Sequence, residues 1–292
     1  MTRTPLPDTR TPLPDTRFTA RSVQLSRTRM HYVHGGAGPA VVLLHGFPQD
    51  WYEWRTVMPR LARQHTVIAV DLPGIGGSGI PGAGYDAETM ADDVCDLVGR
   101  LGLGSVHIVG HDVGGWVAYA FARKHPAVTA RITVLETLIP GTRRFGDPRV
   151  DVPLWHGEFH MVPALPEALV SGRQAVYFKH FFDIGTRTTD VITDDGIEHY
   201  ARSYGDDARL HAAFEMYRAV PRNIEFALRH RDPISAPLLL AGGEHVFGPG
   251  MVDTADELRT DFGWANVSAR VLSGAQHYIV EEHPDEVLDL LL

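Results

Sequence analysis

Apolar runs of strand length recur along the chain, and most are followed by longer stretches in which apolar positions return every three or four residues. The runs are SVQLS, RMHYVHGG, AVVLLHG, TVIAVDLPG, SVHIVGHD and RITVLE, with PLLLAGG and SARVLSG near the end. Their alternation with helical patterns predicts an α/β protein: a mostly parallel sheet covered by helices. Several runs end in Gly, Asp or His. In open parallel sheets the loops beyond the carboxyl ends of the strands carry the chemistry, so these endings are where a site is expected. Between RITVLE and PLLLAGG the pattern changes to aromatic- and histidine-rich helical stretches, such as PEALVSGRQAVYFKHFFD and DARLHAAFEMYRAVPRN. This predicts a helical insertion over residues 138–225, a cap or lid after the strand ending near Glu136, with residues 18–137 and 226–292 as the core.

Composition narrows the partners. A chain of 292 residues, 44% hydrophobic, can bury a large core. Its formal charge of −9 offers no basic surface for nucleic acid or anionic membrane. Cys95 is the single cysteine, so no internal disulfide forms, and its setting in AETMADDVCDLVGRLG predicts a buried apolar thiol. No apolar run approaches the roughly 18 residues of a membrane span, and no hydrophobic signal core opens the chain, so a cytoplasmic protein is expected. The heptad TRTPLPD occurs at 2–8 and again at 9–15. Its prolines remove backbone donors and disfavour helix, predicting a floppy tail over residues 1–17 that serves either as a proline-motif docking segment or as an extension without a role.

The most informative stretch is VHIVGHDVGGWVAYAFA, residues 106–122. A strand, then Gly-x-nucleophile-x-Gly, then a helix is the pattern of a sharp turn that lifts one side chain above the sheet at a helix N-terminus. Here Gly110, His111, Asp112, Val113 and Gly114 fill it, with Gly115 allowing close helix packing. The competing reading is an ordinary strand-to-helix turn in which Asp112 caps the helix.

Together with VVLLHGFPQDWYEW, VDLPGIGGS, TVLETLIPG and SGAQHYIVEEHP, all in the same order, this stretch resembles the epoxide hydrolase and dehalogenase group of the α/β-hydrolases, over essentially everything after about residue 20. Chemistry explains the aspartate independently. A serine attacking a saturated carbon would leave an ether that resists water, whereas a carboxylate leaves an ester that water can cleave. Asp112 therefore calls for an epoxide or a carbon–halogen bond.

The resemblance implies the remaining roles. His277, after the last strand, is the base that activates water. The acid that orients it follows the penultimate strand in many members, but AGGEHVFG places Val246 at that point. Glu136, ending the strand after the elbow, is the preferred alternative, with Glu244 as the other choice. The N–H groups of Phe47 and Val113 form the oxyanion hole, with a cis bond before Pro48. Tyr217 in AAFEMYRAVP and His156 in PLWHGEFH correspond to the donors that receive the epoxide oxygen, as in a bacterial subgroup with a His and Tyr pair. Tyr177, Tyr200 and Tyr204 are fallback donors. Phe47, Trp51, Trp54, Val113 and Trp155 are expected to form an apolar, aromatic pocket.

The expected activity is thus hydrolysis of a hydrophobic epoxide to a vicinal diol through an aspartyl ester, with water as co-substrate and with neither metal nor cofactor. His156 and His160 lie four residues apart in a Pro- and Gly-broken segment without carboxylate companions, a poor metal pattern. A haloalkane or haloacid dehalogenase with the same nucleophile is the alternative. By resemblance, its fluoroacetate-cleaving members carry arginines where this chain has Val113 and Trp116, so a small carboxylate lacks a clamp. A non-catalytic receptor or scaffold of the same fold is the third reading, disfavoured because the reactive residues are retained. A homodimer through the tail or lid stays open.

Overall fold

All eight apolar runs form strands, and they join in one sheet in the order β1-β2-β4-β3-β5-β6-β7-β8. The computed structural model describes residues 11–145, 155–188 and 191–292. The strands are β1 (Thr19–Gln24), β2 (Arg29–Gly35), β3 (Ala40–Leu44), β4 (Thr66–Val70), β5 (Val106–His111), β6 (Thr129–Leu135), β7 (Leu238–Gly243) and β8 (Val267–Leu272). β2 runs antiparallel to β1 and β4, and all other pairings are parallel. The central strands β3 and β5 are buried along their whole length, which is why they read as continuous apolar runs rather than as alternation.

Each face of the sheet buries its own apolar cluster. One contains Val42, Leu44, Ile68, Ile108, Val134 and Leu240 with α2 (Ala87–Arg100) and α3 (Val113–Lys124). The other takes the alternate strand positions, Val41, Leu43, Val67, Val109, Leu135 and Ala241, against α1 (Met58–Leu61). α2 shows how the sequence builds such a cover. Asp86 caps it by accepting from the N–H of Thr89 at 2.8 Å, and Met90, Ala91, Val94, Leu97 and Val98 recur on its buried side. Cys95 on the same helix is only half-buried, although it was expected inside; its position falls at the edge of that apolar stripe. Burial pushes its thiol pKa up.

Between β6 and β7 the described chain is helical: α4 (Trp155–Met161), α5 (Leu165–Val170), α6 (Gln174–Gly185), α7 (Asp194–Ser203), α8 (Asp207–Arg218) and α9 (Val220–Arg229). The boundary anticipated at residues 225 and 226 falls inside α9, whose Asn223 accepts from the N–H of Ala87 at 2.8 Å and so ties this helix to α2. α10 (Gly248–Thr260), α11 (Ile279–Glu282) and α12 (Pro284–Leu291) complete the fold. Residues 1–10 of the anticipated tail lie outside the described residues. The tail's end touches the body: Thr11 Oγ1 lies 3.3 Å from Nδ1 of His199, and Arg17 donates to the carbonyl of Pro59 at 2.9 Å. Among the described residues, no helix is long and apolar enough to cross a membrane.

Strand register gathers the site. Leu44 pairs with Gly110, His111 with Leu135, and Leu135 with Ala241. The segments leaving β3, β5, β6 and β7 therefore emerge side by side at one edge. Two glycines make the β5–α3 junction possible. A Cβ on Gly110 would meet the carbonyl oxygen of Gly114 at 2.1 Å, and one on Gly114 would meet that of Leu44 at 2.4 Å. At Gly99, inside α2, nothing lies within 4 Å. Urea unfolding is expected to show Gly110→Ala destabilised by about 1–3 kcal/mol through overpacking, and Gly99→Ala stabilised by roughly 0.5–1 kcal/mol through helix propensity.

Candidate active site

Asp112 follows β5 with φ 47 and ψ −120, outside the ordinary region for a residue with a side chain. Such a conformation costs about 1–3 kcal/mol and persists where surroundings enforce it. Here the N–H of Asp112 donates to the carbonyl of Leu135 at 3.0 Å, and its own carbonyl accepts from Gly115 at 2.8 Å. Its side chain does not cap α3, contrary to the ordinary-turn reading. Instead Oδ2 accepts from the backbone N–H of Phe47 at 3.0 Å. Val113 opens α3 directly behind Asp112, where the first N–H groups of a helix lack partners within the helix. The Phe47–Pro48 bond is cis.

Glu136 sits at the matching place after β6, also with φ 47. It is wholly buried. Oε1 accepts from the N–H of Gly243, and Oε2 lies 3.2 Å from Nδ1 of His277. Burial raises the Glu136 pKa well above the usual carboxylate range, with the N–H groups of Gly243 and Phe247 pulling the other way. Glu244 points elsewhere: it accepts from Ser273 Oγ at 3.1 Å and from Gly274 N at 2.8 Å on the exposed surface. Of the two carboxylates left open by the sequence, only Glu136 touches His277.

His277 comes from the loop after β8, and the carbonyl of Gly185 at the end of α6 accepts from its N–H at 3.0 Å. The helical stretch thus contributes to fixing this residue. Burial lowers its imidazole pKa to about 4; the charge of Asp112 opposes this and that of His111 adds to it. The ring is therefore uncharged at neutral pH.

Two side chains of the helical stretch stand together near this group. The rings of His156 on α4 and Tyr217 on α8 have centroids 6.0 Å apart at 82°. Burial holds the Tyr217 hydroxyl well above its usual pKa, and the Asp112 charge adds to this, so the phenol stays protonated and able to donate. Burial, then the charges of His277 and His180, lowers His156 to about 4. It offers a single N–H at neutral pH. The three fallback tyrosines are engaged elsewhere: Tyr177 with His160 at 2.8 Å, Tyr200 with Glu281, and Tyr204 with the carbonyl of Gln49 at 2.6 Å.

The aromatic expectations divide. Phe47 is surrounded by rings of the helical stretch, among them Phe178 at 5.6 Å, Phe214 at 6.4 Å and Tyr217 at 5.7 Å. Trp51 and Trp54 do not join it. Both belong to the cluster on the opposite face of the sheet, because the turn Trp51–Thr56 directs its apolar side chains against Val57, Met58 and Leu61. Trp155 is 44% exposed, its ring stacked on Phe181 at 6.0 Å, beside an outer groove with Phe159, Leu169 and Val176. Trp116 donates its indole N–H to the carbonyl of Leu138 at 3.1 Å.

Reading the sequence assigned nothing to Glu53 and little to His111. Both are wholly buried, with Nδ1 of His111 lying 3.1 Å from Oε2 of Glu53. The spacing in HGFPQDWYEW carries no motif that announces this pairing. The only available signals were a charged residue between two tryptophans and a histidine directly before the nucleophile position.

Comparison with known proteins agrees with this architecture. The model of the alpha/beta hydrolase fold family matches residues 39–284. A soluble epoxide hydrolase of Corynebacterium sp. (strain C12) is 34% identical over 94% of this chain and 96% of that protein. A fluoroacetate dehalogenase of Burkholderia sp. is 32% identical over 94% of this chain and 92% of that one. Among solved structures, the epoxide hydrolase CorEH without ligand superposes with a TM-score of 0.85 at 34% identity, covering 94% of this chain and 97% of that chain. Cfl2 from Burkholderia cenocepacia superposes with a TM-score of 0.86 at 31% identity, covering 95% and 96%. The chain belongs to the alpha/beta hydrolase fold family.

Proposed function

We propose that this chain hydrolyses a hydrophobic epoxide to a vicinal diol through a covalent ester on Asp112, with the helices between β6 and β7 acting as the cap. The observation that carries the reading is a carboxylate, not a hydroxyl, at the strained β5–α3 turn. Its charge acts on His277, which Glu136 contacts, and on Tyr217, which stands beside His156. Similarity to the Corynebacterium epoxide hydrolase supports it.

The residues divide the work as follows. An oxygen of Asp112 attacks an epoxide carbon, the ring C–O bond breaks, and the departing oxygen takes the proton of Tyr217 while His156 donates a hydrogen bond to it. His277 then removes a proton from water, whose oxygen attacks the ester carbonyl. Glu136 holds Nδ1 and so fixes the orientation of the His277 ring. The N–H groups of Phe47 and Val113 receive the oxyanion. Collapse breaks the bond between the Asp112 carbonyl carbon and the ester oxygen, which Asp112 itself had supplied and which leaves with the substrate. The diol leaves with the proton from His277, the second proton of the water passes from the new Asp112 oxygen to Tyr217, and one oxygen of Asp112 now comes from water.

The dehalogenase relative at 32% identity makes that chemistry the second reading. Against it stands the apolar lining where a carboxylate would need a cation: Val113 is buried, and the Trp116 N–H is already committed to Leu138.

Three outcomes are expected. Repeated turnover of styrene oxide in heavy-oxygen water places label in the peptide containing Asp112, and Asp112→Ala lowers diol formation by more than about a thousandfold. Unaltered diol formation in that variant overturns the reading, as does faster turnover of fluoroacetate or a haloalkane than of any epoxide in a panel. His277→Gln is expected to accumulate the ester, seen by intact mass as an addition of one substrate. Removal of one donor in Tyr217→Phe lowers the alkylation rate by about 10²–10³ with the hydrolytic rate little changed, measured by single-turnover kinetics. Because His277 works as an unprotonated base, the hydrolytic step is expected to hold through neutral pH and fall only as pH drops toward about 4.

A further inference from the structure

His111 stands directly before Asp112, and each of its ring nitrogens faces an acceptor. Nε2 lies 3.0 Å from the carbonyl oxygen of His277 and Nδ1 lies 3.1 Å from Oε2 of Glu53. A carbonyl oxygen only accepts, so Nε2 carries a proton; a carboxylate likewise only accepts, so beside an ionised Glu53 Nδ1 carries one too. The nearby His45 shows the contrast. Its Nδ1 lies 2.9 Å from the carbonyl oxygen of Gly46, while its Nε2 accepts from the N–H of Leu72 at 3.0 Å, the pattern of a neutral ring.

We infer that Glu53 is a positioning residue: it keeps His111 as an imidazolium that anchors the backbone of His277 and sets the acidity of the His277 ring. The inference rests on the proposed roles of Asp112 and His277. The geometry supports it in three ways. Both side chains are wholly buried, so neither finds its counter-charge in solvent. Oε1 of Glu53 has no hydrogen-bond partner among the described residues, and Oε2 meets only the N–H of Gly46, at 3.4 Å, besides His111, so His111 is the ionisable group bonded to this carboxylate. The His111 and His277 rings lie 5.1 Å apart, close enough for a cation on one to disfavour a proton on the other.

Burial and the surrounding charges act on both members of the pair. Burial opposes the charge on His111, but Glu53 and then Asp112 outweigh it and raise its pKa to about 9. His277 is faced by Asp112 and His111 from the β5–α3 turn, by Glu136 from the end of β6 and by His156 from α4. Burial raises the Glu53 pKa, and the charge and hydrogen bond of His111, together with the N–H of Gly46, oppose that rise; His45 lies on the β3 side of Glu53, and Tyr278 packs on both His111 and His277. Esterification of Asp112 removes the neighbouring anion that favours a proton on His277. The cation on His111 stays. The base is therefore held unprotonated at the stage when it must accept a proton from water.

The test compares Glu53→Gln, which keeps the shape and removes the charge, with Glu53→Asp, which keeps the charge. Single-turnover hydrolysis of the ester formed from styrene oxide is followed against pH. In Glu53→Gln the acid limb is expected to move up by about one pH unit or more, because His277 loses the neighbouring cation; in Glu53→Asp it stays near that of the unaltered protein. An acid limb unmoved in Glu53→Gln overturns the inference. Nitrogen-15 NMR of the unaltered protein, with His111 assigned through its backbone to Asp112, gives an answer that needs no variant. Both ring nitrogens are expected to carry protons at pH 8, and a bare Nδ1 overturns the inference. This readout does not depend on the electrophile, so a protein that opened no epoxide yet showed a doubly protonated His111 would sink the proposed function alone.

Discussion

Backbone-to-backbone contact at the β5–α3 junction governs the arrangement of the site. Gly110 and Gly114 let the turn close against itself and against the end of β3, leaving Asp112 at positive φ with its carboxylate turned to the N–H of Phe47 rather than to its own helix. The strain of this residue, about 1–3 kcal/mol, is small beside the many apolar contacts of the two sheet faces that enforce it. Glu136 repeats the conformation at the next strand. Parallel register then sets the two strained acids at the ends of adjacent strands, so one geometric solution, used twice, delivers Asp112 and the carboxylate that contacts His277.

Around these residues burial dominates the electrostatics. Ionisable groups that would be charged in water are packed where solvent cannot help them, and each takes its protonation state from its neighbours. At an effective interior dielectric near 20, unit charges about 4 Å apart interact by about 4 kcal/mol, several times the usual worth of an exposed ion pair. Hence His111 is driven up by Glu53 and Asp112, whereas His277 and His156 are driven down by burial and by like charges. One type of side chain is thus pushed in opposite directions at three positions by burial and neighbouring charge.

The helices between β6 and β7 add apolar and aromatic contact rather than further charge. Their rings enclose Phe47, whose N–H holds Asp112, and the last residue of α6 accepts the N–H of His277. The parts of the site drawn from the sheet are in this way coupled to the parts drawn from above it. A change in how those helices sit would act on Phe47 and on His277 together.

Much of this was legible in the sequence. Runs of strand length named every strand, continuous in β3 and β5 where both faces are buried, and Gly-His-Asp-Val-Gly named the turn, because burial and steric closure at glycine are local demands that composition must satisfy. Asp112 was marked by its place in that turn, and His277 by resemblance to a family motif after the last strand. Other features were decided only when the chain folded. Whether Glu136 or Glu244 meets His277 depends on which loop turns inward, and the tryptophans of WYEW pack on the far side of the sheet because the short turn that carries them faces α1. The Glu53–His111 contact joins residues far apart in sequence through strand pairing. A sequence states which groups can ionise or pack. Their partners, and so their charge, arise from distances and burial that exist only in the tertiary structure.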